Sequence, residues 1–337
     1  MKLVSFIYQG KISFGFYFEG QIFDLREAGI KLHFPVAESM KDFLWDWDRQ
    51  IEYAQKIELE AKAGNLSAIN PEKMLAPVPF PTSCRDGYAF RQHVEAARRN
   101  RKVPMIPEFD QYPIFYFTNH NAIQGEGDIE VLADHLQKLD FELEAAVVIC
   151  KKGRNIPASK ADEYIGGYMI MNDMSARVLQ MEEMLLNLGP AKGKDFCTVI
   201  GPWLVTKDEL KPYKIPPHAG HEGEKYNLEM KCWVNGKLVS QGNMADMDWT
   251  FAEIIERCAY GVDILPGDVI GSGTVGTGCF LELNGTGKLH DPNYPEQWLQ
   301  DGDIVEMEIT GLGHLTNRIK KVGDYSILAK KKLTKNS

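Results

Sequence analysis

The stretch Leu139-Asp-Phe-Glu-Leu-Glu-Ala-Ala-Val-Val-Ile149 decides the fold of this chain. Polar and apolar residues alternate in its first half and β-branched residues follow, which predicts a strand that runs into a core. Side chains two apart on a strand share a face, so Asp140, Glu142 and Glu144 are expected to point the same way. Clustered carboxylates repel one another, and a hard divalent cation would convert this repulsion into binding. The more ordinary alternative is the solvated outer face of a sheet.

The composition indicates a soluble globular protein and excludes one class of function. The 337 residues fit one large domain with a smaller companion. Hydrophobic residues make up 44% of the chain and charged residues 25%, which is ordinary for such proteins. The formal net charge of −9 provides no pervasive positive field, so we expect no nucleic-acid partner. The basic cluster at 98–102 is too short to change this, and could meet a small anionic substrate or form a solvated helix end.

Cysteine usage and hydropathy bear on the compartment. Six cysteines occur without any Cys-x-x-Cys spacing, so neither a metal knuckle nor a disulfide framework is indicated and a reducing compartment is expected. The apolar run at 3–8 is too short for a signal peptide, and no stretch approaches the roughly 20 apolar residues of a membrane span. We therefore expect a cytoplasmic protein with no membrane partner.

The order of elements predicts an α+β fold that is mainly β, with a small N-terminal domain. Short strands are expected within residues 1–34 and a helix over about 40–62, before a proline-rich extended stretch, Ala76-Pro-Val-Pro-Phe-Pro81. Many short strands and few helices follow that stretch. The predicted organisation is a small domain at 1–70, a linker at 71–82, a catalytic domain at 83–330 and a flexible tail at 331–337.

Individual elements of the larger part can also be predicted. Asn235-Gly236 between two apolar runs is the strongest hairpin signal of the chain. Helices are expected over about 87–102, 175–186 and 249–260, and strands at 114–117, 139–150, 168–171, 228–234, 237–239 and 263–270.

A glycine-rich segment at 271–278 fits the G-x-G-x-x-G pattern of nucleotide-binding loops. That function requires a helix immediately afterwards, because its N-terminus holds the phosphates. Residues 279–283 are predicted to form a strand instead, so the nucleotide function is rejected. The segment remains a loop through which backbone can approach another group closely.

Three further residues have both a chemical and an ordinary interpretation. Asp173 at a strand end is either a third oxygen ligand facing Glu142 and Glu144 or the N-cap of the next helix. His93, with Asp86 two helical turns before it, is either a general base or a packed side chain. Lys194 in a glycine-flanked loop is either a cation held near the carboxylates or part of a surface turn.

Four blocks of sequence together resemble the fumarylacetoacetate hydrolase family, over about 77–322. Each block alone is weak, but their order and spacing are highly specific. Residues 117–122 do not match the tyrosine-containing substrate loop of the family's animal enzymes, and the N-terminal part is shorter than theirs. The blocks are Asp86-Gly-Tyr-Ala-Phe-Arg-Gln-His93, Leu139-Asp-Phe-Glu-Leu-Glu144, Met171 to Gln180 leading to Gly193-Lys-Asp-Phe-Cys-Thr198, and Gly271-Ser-Gly-Thr274 with Gly278-Cys-Phe-Leu-Glu-Leu283.

The resemblance implies a fumarylacetoacetase-like mixed β-roll behind a small N-terminal α+β domain, assembled as a homodimer. It implies a divalent cation, Mg²⁺, Ca²⁺ or Mn²⁺, held by carboxylates. It also assigns roles to individual residues: metal ligands Asp86, Glu142, Glu144 and Asp173; a general base His93 oriented by Glu282; polar groups Lys194, Gln180 and Arg177 at the reacting centre; and substrate contacts Tyr88, Thr274 and Thr198.

The function implied is a metal-dependent hydrolase that cleaves a carbon–carbon bond of a small β-diketone acid, fumarylacetoacetate or an acylpyruvate. Water activated by His93 with Glu282 would attack the carbonyl carbon. Two alternatives stay open. One is an oxaloacetate-type decarboxylase or a hydratase that uses the same metal–enolate site, and the other is a non-catalytic module that binds a metal and a ligand.

Overall fold

The computed structural model describes residues 1–332, so most of the predicted tail at 331–337 lies outside the described residues. Short 3₁₀ turns connect several of the elements. Within the described residues the α-helices are α1 Leu25–Leu32, α2 Met40–Trp45, α3 Trp47–Lys62, α4 Arg91–Asn100, α5 Ala158–Ala161, α6 Arg177–Met184, α7 Lys207–Leu210, α8 Phe251–Ala259 and α9 Phe280–His290.

Strands outnumber helices, and most of them are short. In chain order they are β1 Lys2–Tyr8, β2 Lys11–Phe18, β3 Gln21–Asp24, β4 Lys73–Met74, β5 Ser83–Gly87, β6 Phe115–Thr118, β7 Ile123–Gln124, β8 Gly127–Leu132, β9 Leu139–Asp140, β10 Leu143–Ile149, β11 Gly153–Arg154, β12 Ile165–Asp173, β13 Ser175–Ala176, β14 Thr198–Val205, β15 Lys214–Ile215, β16 Lys225–Tyr226, β17 Glu229–Val234, β18 Lys237–Asn243, β19 Asp263–Ile264, β20 Asp268–Gly271, β21 Ile304–Ile309 and β22 Gly313–Gly323.

A large mixed sheet forms the centre of the molecule, in the order β3-β2-β1-β14-β12-β10-β20-β5-β6. β4 is added beside β1 and β7 beside β14. Neighbours along the main order pair antiparallel except β20 and β5, which are parallel. Since β1 pairs directly with β14, the N-terminal strands continue the same sheet as the strands that carry the predicted ligands. A second sheet of five strands has the order β18-β17-β21-β22-β8.

The central sheet separates two hydrophobic cores, and β10 shows this in its sequence. Leu143, Ala145, Val147 and Ile149 belong to the core shared with the five-stranded sheet and α8. Ala146 and Val148 face a core filled by the N-terminal strands and by α1–α3. Both faces of β10 are therefore buried, which explains the continuous apolar run after Glu144.

Several predicted elements are confirmed, although their bounds differ. The hairpin at Asn235-Gly236 joins β17 to β18. The helix predicted at 40–62 is divided at Asp46 into α2 and α3. The strand predicted at 263–270 is divided into β19 and β20, because Pro266 cannot donate to a strand ladder.

Two predictions about elements near the site are wrong. Asp86 does not lie on a helix with His93, because residues 83–87 form β5 against β20 and α4 begins only at Arg91. Residues 279–283 do not form a strand, because α9 begins at Phe280. Local propensity was overridden in both cases, by strand pairing in the first and by capping of the helix N-terminus in the second.

The longest described helix, α3, has 16 residues. Within residues 1–332 no helix combines the length and the apolar character that crossing a bilayer requires.

Candidate active site

Neighbouring strands of the central sheet place the predicted metal ligands in one row. Asp173 ends β12 opposite Thr198 of β14, and Asp86 lies on β5 opposite Gly271 of β20. β10 and its residue Glu144 lie between β12 and β20. Side chains alternate along a strand, so these three residues point to the same face of the sheet as Cys84, Val148 and Met171. That face packs against the core formed with the N-terminal strands and α1–α3.

The row converges into a cluster of four carboxylates. Each can offer one oxygen such that all four atoms lie within 4.8 Å of one another. All four residues are buried, at 0–6% exposure. A solvated outer face of the sheet is thereby excluded for these residues, which are Asp86, Glu142, Glu144 and Asp173.

Burial and mutual repulsion change the pKa values of the clustered carboxylates. Burial, together with repulsion from Asp173, raises the pKa of Asp86 to about 7. Burial and the charge of Asp86 raise the pKa of Glu144 well above its usual range. Burial would also raise the pKa of Glu142, but Lys194 and Arg177 outweigh it and lower that pKa to about 2. Glu142 is therefore the carboxylate of the cluster whose ionised form the two cations favour.

Two buried cations contact the cluster from one side. Lys194 donates to Glu142 and, at 2.9 Å, to Asp173 Oδ2. Arg177 donates from Nη2 to Glu142 Oε1 at 2.9 Å and from Nη1 to Gln180 Oε1 at 2.9 Å. The ordinary interpretation of Lys194 as part of a surface turn is wrong, because its side chain is only 5% exposed.

The glycine-rich segment contacts the cluster from the other side. The Gly273 N–H donates to Asp86 Oδ1 and to Glu144 Oε2, both at 3.1 Å. Thr274 Oγ1 lies 3.3 Å from Glu144 Oε1. A Cβ at Gly271 would lie 2.4 Å from Asp86 Oδ1, so only glycine leaves room for the ligands at that position. Close backbone approach, expected from the sequence, is what these glycines provide.

His93 and Glu282 form a buried pair beside the cluster. Nδ1 of the imidazole lies 2.6 Å from Glu282 Oε2, while Glu282 Oε1 accepts from the Thr277 N–H at 2.9 Å. The carboxylate thus holds the ring by one nitrogen and leaves Nε2 for proton transfer. The Tyr88 ring meets the His93 ring edge to face, with centroids 5.9 Å apart.

Asp140 does not join the ligands, contrary to the expectation that it shares their face. It belongs to the separate strand β9, and its carboxylate accepts from the N–H groups of Phe280 and Leu281 at 2.7 and 2.9 Å. These are the first two residues of α9. A helix does follow the glycine-rich segment, but this buried carboxylate occupies its N-terminus, where a nucleotide phosphate would have to bind.

The N-cap interpretation of Asp173 is also wrong. The next helix, α6, begins at Arg177 with Ala176 as its N-cap. Oδ2 of Asp173 accepts from Lys194 and from the hydroxyl of Tyr116, while Oδ1 is buried and has no hydrogen-bond partner within residues 1–332.

Tyr116 is the site residue that sequence reasoning missed. It lies on β6 directly opposite Asp86 of β5 and donates to Asp173. The available signal was its place in a predicted strand just before 117–122, where the family's tyrosine-containing loop was sought. Because the strand register was unknown, nothing in the sequence pointed Tyr116 at the carboxylates.

The other predicted residues are buried to different degrees. Thr198 is 1% exposed and Thr274 4%. Gln180 is half-buried on α6, where its packing against the loop requires Gly193, since a Cβ there would lie 2.6 Å from Gln180 Cα.

A divalent cation fits the residues that are present. Six buried carboxyl groups meet only two permanently charged cations, Arg177 and Lys194. The orphaned oxygen of Asp173 adds a buried acceptor that needs a positive partner. An all-oxygen donor set suits Mg²⁺, Ca²⁺ or Mn²⁺. The carboxyl groups are Asp86, Asp140, Glu142, Glu144, Asp173 and Glu282.

The mixed central sheet carries a cluster of buried carboxylates and a histidine–glutamate pair, an arrangement typical of an enzyme active site. Comparison with known proteins gives the family. The family "Fumarylacetoacetate (FAA) hydrolase C-terminal" matches residues 82–320. The chain belongs to the fumarylacetoacetate hydrolase family, as the resemblance indicated.

Individual relatives carry different activities in their names. The chain is 31% identical to fumarylacetoacetase of Oryza sativa subsp. japonica over 249 residues, which cover 61% of this chain and 58% of that enzyme. It is 28% identical to oxaloacetate tautomerase YisK of Bacillus subtilis over 311 residues, covering 89% of this chain and 93% of that enzyme. The family is thus enzymatic, and its members include hydrolases and tautomerases.

A solved structure confirms the fold class. Fumarylacetoacetate hydrolase from Exiguobacterium antarcticum aligns over 96% of this chain and all of its own, with a TM-score of 0.68 at 25% identity. The α+β, mainly β fold predicted from the sequence, of fumarylacetoacetase type, is therefore confirmed.

Proposed function

We propose that this chain hydrolyses a carbon–carbon bond of an acylpyruvate-type β-diketone acid with the help of a divalent cation. The observation that carries the proposal is a buried imidazole–carboxylate pair, His93 with Glu282, near four converging carboxylates. The pair is close enough that the charge of His93 helps to lower the pKa of Glu142. Ligands alone would serve a binding module. The oriented base beside them serves proton transfer.

In the proposed hydrolysis, His93 transfers protons and Glu282 stabilises the charge that forms on it. Nε2 of His93 removes a proton from water, and the water oxygen adds to the carbonyl carbon remote from the carboxylate of the substrate. Glu282 stabilises the imidazolium that forms. The carbon–carbon bond then breaks, its electron pair passes to the methylene carbon, and protonation there gives pyruvate and a carboxylic acid.

The developing oxyanion needs donors, and two are available. The Lys194 ammonium has three N–H groups and uses two on Glu142 and Asp173, which leaves one. Gln180 accepts from Arg177 through Oε1, so its amide N–H groups are free to donate. Losing one such donor commonly costs about 10²–10³-fold in rate. A bound divalent cation, held by Asp86, Glu142, Glu144 and Asp173, would supply Lewis-acid polarisation of the diketone oxygens.

The decisive experiment is a panel of acylpyruvates together with the related β-diketone acid fumarylacetoacetate, assayed with Mg²⁺, Mn²⁺ or Ca²⁺ and after EDTA treatment. We expect release of pyruvate from an acylpyruvate, or of acetoacetate from fumarylacetoacetate, that requires the cation and disappears in Glu142→Gln. Hydrolysis that persists in EDTA would remove the cation from the mechanism, and a panel that releases neither product would refute the hydrolase function.

A second candidate is the interconversion of keto and enol forms of oxaloacetate. The tautomerase of Bacillus subtilis matches over nearly its whole length, and the same base could move a proton at the carbon between two carbonyls without using water. Oxaloacetate presented as the enol distinguishes the two functions: faster loss of enol absorbance without bond cleavage would favour the tautomerase. Carbon dioxide release would instead favour the decarboxylase.

We also propose a homodimer, which the family resemblance implies. Three exposed leucines after α6, Leu185, Leu186 and Leu188, are 80–93% exposed and form an apolar surface that association would cover. Light scattering should give twice the 38.1 kDa of one chain, and a monomer at micromolar concentration would contradict this.

A further inference from the structure

Asp140 connects the helix that carries Glu282 with Arg177, which contacts the carboxylate cluster. Its carboxylate is fully buried, accepts four hydrogen bonds and makes a further ion-pair contact with Arg177. Oδ1 accepts from the N–H groups of Phe280, at 2.7 Å, and of Phe141, at 3.0 Å. Oδ2 accepts from the Leu281 N–H at 2.9 Å and from Arg177, whose Nε and Nη2 lie 2.9 and 2.7 Å away.

The two neighbours of Asp140, α9 and Arg177, contact different groups of the site. On one side, α9 carries Glu282 at its third position, and Glu282 holds His93. On the other side, Arg177 holds the ligand Glu142 and the donor Gln180. One polar connection between the imidazole and the carboxylate cluster therefore runs through Asp140.

Stability alone does not account for this arrangement. Cys279 already caps α9, since its Sγ accepts from the Glu282 N–H. Burying a carboxylate against a guanidinium often yields no net stability over apolar packing, because both ions lose their water. An acid that bridges two elements does, however, fix the distance between the groups that those elements carry.

We propose that Asp140 is a positioning residue that sets the place of the His93–Glu282 pair relative to the carboxylate cluster. The proposal rests on the proposed function only in taking that pair as the base. Asp140 touches neither substrate nor cation. It acts by joining the N-terminus of α9 to Arg177, so that base and ligands move as one unit.

Asp140→Asn tests this, because asparagine keeps the size and has one acceptor oxygen instead of two. Whichever way its amide turns, an N–H group faces either Arg177 or the N-terminus of α9, and one half of the bridge is lost. A displacement of about 1 Å at a reacting group can cost about 10²-fold in rate. We expect kcat to fall about 10²-fold by that argument, with KM and the Mn²⁺ dissociation constant changing far less.

Asp24→Asn is the matched control. Asp24 is also buried and caps a helix, accepting from the N–H groups of Arg26 and Glu27 at 2.8 and 2.9 Å. Its other partner is the Ser13 hydroxyl, so its hydrogen bonds join it to residues outside the site. Its kcat should stay at the wild-type value. If Asp140→Asn lowers kcat no more than Asp24→Asn does, or if Mn²⁺ affinity falls as far as kcat, the proposal is overturned.

Two further measurements separate this proposal from the function on which it rests. In a double-mutant cycle, Asp140→Asn should cost little in a Glu282→Gln background, because the pair it positions is already lost; additive losses would refute it. The second needs no turnover: the rate at which diethyl pyrocarbonate modifies His93, read by peptide mass spectrometry. That rate should rise in Asp140→Asn and not in Asp24→Asn. A wild-type chain inactive on every substrate would refute the function, while this rate still decides the role of Asp140.

Discussion

At the scale of single residues, we propose that His93 serves as the base and Glu142 as a metal ligand. His93 contacts Glu282 and no described ligand, whereas Glu142 belongs to the cluster and contacts both cations. The sequence suggested both residues, because a histidine suits proton transfer at neutral pH and a carboxylate on a buried strand needs a partner. Their separation in the structure allows each to be removed without the other.

His93→Ala should therefore lower turnover while metal binding persists. A general base contributes about 10²–10⁴-fold, so we expect kcat to fall by about that factor. Mn²⁺ titration calorimetry should give the wild-type dissociation constant. The exposed His290 of α9 serves as the control, since His290→Ala removes an imidazole far from the pair. Loss of Mn²⁺ binding in His93→Ala would place the imidazole among the ligands instead.

Tyr116→Phe tests a residue that only the structure revealed. Its hydroxyl and Lys194 both donate to Oδ2 of Asp173, which leaves Oδ1 to face the cluster. Removing a partner that orients a ligand typically costs about 10–100-fold in metal affinity. We expect Mn²⁺ affinity to fall by about tenfold in Tyr116→Phe on that basis, measured by calorimetry. Tyr112→Phe, in the same segment but 38% exposed, should bind as the wild type does. Equal affinities of the two variants would contradict the orienting role.

At the scale of elements, β20 shows that a glycine leaves the space which the neighbouring carboxylates occupy. It lies between β10 and β5, and its last residue, Gly271, is opposite both Ala146 and Asp86. The glycine pattern was visible in the sequence, but its purpose was not. Whether such a pattern holds a phosphate or makes room for carboxylates depends on which strands flank it.

Gly271→Ala should damage binding more than folding. The new Cβ would lie 2.4 Å from Asp86 Oδ1, 2.8 Å from Met171 Sδ and 3.0 Å from Glu144 Oε2, all of them ends of side chains. These ends can move aside, so the backbone survives while the ligands are displaced. We expect at least about a tenfold loss of Mn²⁺ affinity, the scale on which misplaced ligands act. In Gly323→Ala, a Cβ would meet only Leu132 Cδ2 at 3.5 Å, and binding should not change.

At the scale of the whole molecule, the cluster links cation binding to folding. Its four carboxylates come from β5, β10, β12 and the two residues between β9 and β10, so the unfolded chain has no comparable site. A ligand that binds only the folded state stabilises it by mass action. The repulsion among the buried carboxylates is relieved in the same step.

Thermal unfolding should consequently depend on the cation. At a Mn²⁺ concentration 100 times the dissociation constant, the free energy of unfolding should rise by about 2.7 kcal/mol. Calorimetric scans with Mn²⁺ and with EDTA measure this as a shift of the melting temperature. Glu142→Gln should show no shift. A shift that survives in that variant would mean that Mn²⁺ binds elsewhere.

The sequence by itself determined which chemical groups this protein has for its site, and the strand at its centre. The alternation in 139–149 predicted a buried strand, and the four blocks of motifs indicated the family, its ligand carboxylates and its histidine–glutamate pair. These features are local, because they depend on residues a few positions apart and on the periods of strand and helix.

Only the tertiary structure decided how these residues meet. The pairing of β5 with β20, which placed Asp86 opposite Gly271, is set by contacts between segments more than 180 residues apart. The pairing of β5 with β6 then placed Tyr116 opposite Asp86. The start of α9 depends on a carboxylate from β9, 140 residues earlier. Strand register and capping from a distance arise from packing of the whole chain, and no short window of sequence contains them.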